Sequence, residues 1–350
     1  MSAAPDATGA RIVFIGGRAH GFELLDRLLA RGERIERVFA LEEDAHEPRR
    51  FDREISALAA RAGVACTIAK RLSPADIEQL IALAPDLVLV LGWRTILPPR
   101  VIHAPRLGCF GVHDSLLPRY RGFAPTNWAV INREPAAGVT LWRLNEDVDA
   151  GEVVAQREIA VGPCDTAADL YEQVRQASAA LVLEHLPAIV AGTAPLVAQD
   201  EALATYACAR TPDDGLIDWR LPSEHIAALV RALTRPYPGA YTYLDGRPLR
   251  VWAARALTPA PVYEGRIAGR VAKLHPGGGV EVLCGSGSLM LLEVQAEDAA
   301  PCRAGELIRS VRITLGPTFQ ELYRRLASVE EDLARLQARV EQGAARGVHA

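Results

Sequence analysis

The sequence has no paired cysteines. Its six cysteines (Cys66, Cys109, Cys164, Cys208, Cys284 and Cys302) stand far apart, and none forms a CxxC spacing. A cysteine-based zinc site is therefore not expected. Cys66, Cys109 and Cys284 lie in apolar segments, so they read as core thiols in a reducing, cytoplasmic setting. No apolar run approaches the ~20 residues that a membrane-spanning helix needs. The opening stretch MSAAPDATGA has neither the charged nor the apolar region of a signal peptide. A basic excess is also missing. The formal net charge is −4, which gives the chain no general affinity for nucleic acid or for an anionic membrane surface. What remains is an ordinary globular composition, 49% hydrophobic and 23% charged over 350 residues, long enough for two domains with buried cores.

Apolar strand-like runs at 11–16, 37–41, 64–68 and 86–92 alternate with helical patterns at 21–31, 51–62 and 73–84. Ser73 before Pro74 reads as a helix cap. Strand–helix alternation predicts an α/β fold with a doubly wound parallel sheet. The glycines Gly16, Gly17 and Gly21 have a GGxxxG spacing rather than GxGxxG, and read as a tight strand-to-helix turn rather than a dinucleotide site. A helix is expected at 125–132, strands at 138–144 and 153–159, and a long helix at 165–191. That helix has a cap at Thr166–Asp169, a kink or break at Pro187 and a stop at Gly192. Beyond it the texture changes to a helix at 221–233 and short strands with glycine turns from 240 to about 294, a small β domain. Leu322, Leu326, Val329, Leu333, Leu336 and Val340 then alternate four and three apart in a charged background. Two readings stand for this tail: a helix packed back on the body, or a coiled-coil contact between two copies. The resulting division is 10–192, a linker at 193–209, a β domain at 210–316 and a heptad helix at 317–342.

The chemistry concentrates in residues 108–122, GCFGVHDSLLPRYRG. His113 follows a strand-like run and precedes a proline-bounded loop. Asp149 sits in the later turn Glu146-Asp147-Val148-Asp149-Ala150-Gly151. A histidine and a carboxylate, each just past a strand, can meet at the edge of a parallel sheet, where open α/β folds bind ligands. Histidine can take a proton from an amine nucleophile, and a neighbouring carboxylate orients the ring. Arg119, Tyr120 and Arg121 suit an anionic or phosphorylated ligand. Asp147 and Asp149 alone make a poor metal site, and no metal is expected.

These residues resemble the 10-formyltetrahydrofolate-dependent formyltransferases. The resemblance rests on His113-x-Ser115-Leu-Leu-Pro118-x-Tyr120-Arg-Gly122, then on Ala124-Pro-x-Asn127-Trp-Ala129, Gly138-Val-Thr-Leu141 and Val148-Asp-Ala-Gly151. It continues with Arg210-Thr-Pro-Asp-Asp-Gly215 and Pro236-Tyr-Pro-Gly-Ala240, so that it covers about residues 10–316. Sugar N-formyltransferases, such as the domain acting on UDP-4-amino-4-deoxy-L-arabinose, are the nearest likeness within that family.

The resemblance implies a Rossmann-like catalytic domain, a barrel-like (OB-like) second domain, and N10-formyltetrahydrofolate as formyl donor. His113 is then the base and Asp149 its partner, with Ser115, protonated His113 or a water left to hold the formyl oxygen. The family carries an asparagine two residues before the histidine, as donor to the formyl oxygen, and here that position is Gly111. Folate contacts would fall to Trp93, Arg94, Ile96, Leu97, Leu116, Pro118, Glu146 and Asp147. Contacts to a nucleotide-linked amino sugar would fall to Arg119, Tyr120, Arg121, Asn127 and Arg210. Trp93 either packs on the pterin or anchors the core. Gly111 keeps alternatives open: another amine such as methionyl-tRNA as acceptor, a formyltetrahydrofolate hydrolase, or a protein that binds without turnover. No nucleic-acid or membrane partner is expected, and a homodimer would form through the heptad helix.

Overall fold

The computed structural model describes residues 9–44, 50–317, 322–323 and 326–337. The chain divides into two compact units, Met1–Thr211 and Pro212–Ala350. The first is built on a sheet whose central strands are almost all apolar. In β1 (Ile12–Gly16) every residue is buried, as a strand covered by helices on both faces requires. Helix α1 (Arg18–Ala30) and strand β2 (Ile35–Leu41) follow, then α2 (Phe51–Arg61), β3 (Cys66–Ala69), α3 (Pro74–Ala82), β4 (Leu87–Leu91), the short α4 (Pro99–Ile102) and β5 (Gly108–His113). After these come β6 (Arg121–Gly122), α5 (Pro125–Ile131), β7 (Ala136–Arg143), β8 (Val153–Ala160), α6 (Ala167–Val190) and β9 (Tyr206–Ala207).

The main sheet has the order β3-β2-β1-β4-β5-β7-β8. Strands β3, β2, β1, β4 and β5 are mutually parallel, as the alternation predicts. Strand β7 departs from it, running antiparallel to β5 and joining β8 in an antiparallel hairpin at the sheet edge. The strand order reverses between β1 and β4. There Gly17 N–H donates to the Leu91 carbonyl at 3.0 Å. A Cβ at Gly92 would stand 2.3 Å from the Gly17 carbonyl oxygen. The two loops touch backbone to backbone, so the glycine cluster serves a tight turn and a close approach.

Helix ends follow their caps. Ser73 with Asp76, and Thr166 with Asp169, form reciprocal capping boxes at the starts of α3 and α6, each worth about 1 kcal/mol. Pro187 does not end α6, which runs on to Val190. Proline removes the N–H that would reach four residues back, and the freed Leu183 carbonyl instead accepts from the Arg31 guanidinium at 2.9 Å. The stretch 193–209, expected as a linker, is partly structured, because β9 pairs in parallel with β6.

The second unit holds α7 (Ser223–Leu233), β10 (Ala240–Leu244), β11 (Arg247–Ala256), β12 (Val271–Leu274), β13 (Val280–Leu283), β14 (Ser288–Ala296), β15 (Cys302–Arg303) and α8 (Ala304–Leu307). Its antiparallel sheet runs β10-β11-β14-β13-β12, with β15 on β14. The described part of the tail is helical, and Leu322, Leu326, Val329, Leu333 and Leu336 are all more than half exposed. Val340 lies outside the described residues. Cys109 and Cys284 are buried, and burial pushes the Cys284 thiol up to about 12, which keeps it protonated and inert. Among the described residues, no helix is long and apolar enough to cross a membrane.

His20, in the first turn of α1, is buried edge-on against Tyr171 with ring centroids 4.5 Å apart. Its Nε2 has no hydrogen-bond partner, and Asp114 Oδ1 stands 3.9 Å away. Burial lowers its pKa from 6.5, and Asp114 opposes that only in part. The unfolded chain therefore binds a proton that the folded chain refuses. Stability from this group is present above pH 6.5 and is lost as pH falls from there toward the lowered folded value. His20→Phe should flatten the loss of melting temperature between pH 7 and 5; parallel profiles for variant and wild type would refute the assignment.

Candidate active site

Strand β5 carries His113 to the C-terminal edge of the parallel strands. Asp149 arrives by a different route from the one expected. Because β7 is antiparallel to β5, with Arg143 opposite Phe110, its C-terminal end points away from His113. The loop after β7 has to fold back over the sheet. Gly151 permits this: a Cβ there would fall 1.8 Å from the Arg143 carbonyl oxygen, so any side chain would break the turn. Asp149 itself has φ 52°, a left-handed conformation that aspartate tolerates better than most residues.

The pair is close and shielded. His113 Nδ1 lies 3.5 Å from Asp149 Oδ2, with the two side chains 11% and 17% exposed. Nε2 lies 2.8 Å from the Tyr120 carbonyl oxygen. A carbonyl only accepts, so Nε2 carries the hydrogen, and the lone pair of the neutral ring is on Nδ1, toward Asp149. At 3.5 Å the pair is within ion-pair range but too long for a hydrogen bond, which leaves both groups able to engage a third. Asp149 Oδ2 also accepts from Gly122 N–H at 2.8 Å.

The loop between His113 and Gly122 is fastened from within. Ser115 is buried and its hydroxyl donates to the Arg119 carbonyl at 2.6 Å. Its one hydrogen is thereby committed. Thr140, wholly buried on β7, donates to the Ser115 carbonyl and accepts from Leu117 N–H. Gln156 on β8 donates to the Leu117 carbonyl and to Thr140. Glu134 accepts from both Arg119 and Tyr120. Burial, reinforced by the Glu134 carboxylate, raises the Tyr120 hydroxyl's pKa, so it stays a donor.

Arg121, grouped with the ligand-facing cations on sequence, is only 2% exposed. Its guanidinium donates to both carboxylate oxygens of Glu201 at 2.8 and 2.7 Å and to Gln199 at 2.8 Å. Gln199 Nε2 in turn donates to the carbonyls of Asp149 and Gly151 at 2.8 and 2.7 Å. Sequence reading missed Gln199, Glu201, Gln156 and Glu134. Thr140 carried a signal, a polar residue inside an apolar strand; Gln199 lies in a stretch with no periodicity at all.

The remaining expected contacts divide. Leu97 is buried in the core cluster, and Trp93 packs against that cluster with its Nε1 buried and unpartnered. Ile96 is 80% exposed beside them. Arg94 pairs with Asp44 at 3.3 Å, and Glu146 with His103 at 3.1 Å. Asp147 is exposed. Leu116, Arg119 and Tyr120 line a small pocket with Asp114, Ser115 and Pro125, while Pro118 follows a cis peptide bond in the same loop. Asn127 is buried at the start of α5, and Arg210 stacks over Trp128 at 4.9 Å.

A histidine–carboxylate pair thus stands at the C-terminal edge of the parallel strands of an α/β sheet. Residues 10–186 match the formyl transferase family and residues 210–312 match its C-terminal domain. The chain belongs to the formyl transferase family. It is similar to the structure of the N-formyltransferase from Helicobacter canadensis in complex with folinic acid and dTDP-3-aminofucose. That match has 15% identity and a TM-score of 0.61, and covers 82% of this chain and 99% of the other. It is similar also to WlaRD, a sugar 3N-formyltransferase crystallised with dTDP and 5-N-formyl-THF, at 16% identity and TM-score 0.59 over 83% and 99% of the two chains. HypX from Aquifex aeolicus, in complex with tetrahydrofolic acid, matches at 18% identity and TM-score 0.57 over 87% of this chain. The chain spans 47% of HypX, about half its length.

Gln199→Ala should cost about 1–3 kcal/mol, because it leaves the Asp149 and Gly151 carbonyls and part of the Arg121 fork unsatisfied. Denaturant unfolding measures this, and a change under about 0.5 kcal/mol, the ordinary surface range, would contradict it.

Proposed function

We propose that this chain transfers the formyl group of N10-formyltetrahydrofolate to the amine of a nucleotide-linked amino sugar. The observation that carries the reading is the His113–Asp149 pair, with the Nδ1 lone pair turned toward a carboxylate 3.5 Å away. An amine entering between them can donate one N–H to each. Asp149 fixes the amine, and His113 accepts its proton as the new N–C bond forms. The same proton is then available to the departing nitrogen of the donor.

The donor would supply an activated formyl group. Trp93 and Ile96, at the loop after β4, suit a flat heterocycle: the first is half-buried with an orphaned N–H, the second is an exposed apolar side chain. That loop adjoins the topological switch between β1 and β4. Leu97 would support it from the core, and Leu116 and Pro118 would wall it from the catalytic loop. Arg94, Glu146 and Asp147 would contribute polar contacts on the rim. Arg119, Tyr120, Asn127 and Arg210 would meet the sugar nucleotide. Arg121 would act through its neighbours, by holding the loop. The dTDP and dTDP-3-aminofucose named for the similar sugar formyltransferases support a nucleotide-linked acceptor.

The test is to incubate the protein with 10-formyltetrahydrofolate and a panel of nucleotide-linked amino sugars, and to follow release of tetrahydrofolate. Release without any amine would point to a hydrolase; folate binding with no turnover would defeat the enzyme reading. Given turnover, His113→Ala should lower kcat by at least ~10²-fold, and an unaffected variant would reject the base assignment.

A further inference from the structure

Formyl transfer needs a second group besides a base. As the amine lone pair adds to the formyl carbon, the C=O π pair moves onto oxygen. That oxygen carries negative charge until the C=O bond re-forms and the donor nitrogen leaves with the proton that His113 has collected. Removing one hydrogen-bond donor to such an oxygen typically lowers the rate by ~10²–10³. The position two residues before His113, on the same face of β5, is Gly111, which has no side chain to offer.

The space beside Gly111 is filled. Trp142 on β7 is paired directly opposite Gly111, so their side-chain positions share a face. Trp142 Nε1 stands 3.7 Å from where a Gly111 Cβ would be, with Leu144 Cδ1 at 3.0 Å. The far side of the ring lies under the loop that carries Asp149, with Cε3 3.1 Å from where a Gly151 Cβ would be. The indole is thus clamped between Gly111 and Gly151, with the residue 7% exposed. Its N–H makes no hydrogen bond to any described residue. An indole nitrogen only donates, and this one is not sealed from solvent, so its N–H can meet an incoming acceptor.

The hydroxyls nearby are already spent. Ser115 donates to the Arg119 carbonyl, Thr140 to the Ser115 carbonyl and Tyr120 to Glu134. We propose that the Trp142 indole N–H is the donor that holds the formyl oxygen in this site. The inference rests on the formyl-transfer reading above. Along β5, side-chain positions two residues apart are about 7 Å apart. That span accommodates one reacting carbon, with its amine on the His113 side and its oxygen on the Trp142 side.

Trp142→Phe keeps an aromatic ring between the two glycines and removes only the donor. With an amine that the wild type turns over, kcat should fall by ~10²–10³, with KM for both substrates changed less than about threefold, because the bond is made mainly in the transition state. Trp142→Phe at wild-type kcat would overturn the proposal. A second readout does not need turnover. The chain has five tryptophans, and the missing peak in Trp142→Phe assigns the Trp142 indole resonance in a ¹⁵N correlation spectrum. Adding the stable 10-formyl-5,8-dideazafolate should move that resonance downfield, whereas the unformylated parent should not. If no amine is turned over, the formyl-transfer reading fails by itself. The indole resonance then still decides whether Trp142 meets the formyl oxygen, and an unmoved peak with the analogue bound, or no binding of the analogue, overturns the proposal.

Discussion

Taking a guanidinium out of water costs several kcal/mol even after relaxation, and the chain does this at Arg121. The cost is offset because every direction of the fork is used: both oxygens of Glu201 and the amide oxygen of Gln199 accept from it. The Glu201 side chain is 66% exposed, so the pair is buried on one side only and adds little net stability. Its effect is on register. Arg121 belongs to the loop after His113, Gln199 grips the loop that carries Asp149, and Glu201 belongs to the segment that ends in β9. Three stretches distant in sequence are fixed to one another through a single cation. The sheet places His113, but the sheet alone would leave Asp149 unplaced.

Close backbone approach does the rest. The loop after β7 can lie on the sheet because Gly151 has no Cβ to meet the Arg143 carbonyl. The absence of a Cβ at Gly111 leaves room for the rings and methyls of Trp142 and Leu144. Elsewhere in the fold, Gly17 and Gly92 bring the loops above β1 and β4 into contact. Each contact removes a degree of freedom that a larger residue would keep, and together they make the edge carrying His113 and Asp149 a packed surface rather than a set of free loops.

Much of this was legible in the sequence, and the reason is periodicity. The strands at 11–16 and 86–92 and the helix at 165–191 announce themselves through continuous or 3.6-period apolar runs, and the capping boxes at Ser73 and Thr166 through side-chain chemistry at fixed offsets. His113 and Asp149 stood out as polar residues at the ends of such runs. Orientation did not stand out. Nothing in the apolar run at 138–144 says that β7 turns antiparallel to β5, and strand direction depends on long-range pairing that no local pattern encodes. Arg121 was misleading for a related reason. An arginine in a basic loop reads as exposed until its acceptors are known, and these lie some eighty positions away.

The same argument bears on Gly111. Read along the chain, a glycine at that position is a loss. Read across the sheet, it is one half of a pair, because an antiparallel neighbour occupies the space that a residue vacates on the shared face. Trp142 is such a neighbour, and it brings an N–H as well as bulk. A Cβ at Gly111 would press on the Leu144 methyl at 3.0 Å and the Val90 carbonyl at 3.3 Å, and would meet the indole at contact distance, 3.7 Å. The donor role follows from a narrower fact. Packing alone would be satisfied by phenylalanine, and only the indole adds an N–H that an acceptor can reach.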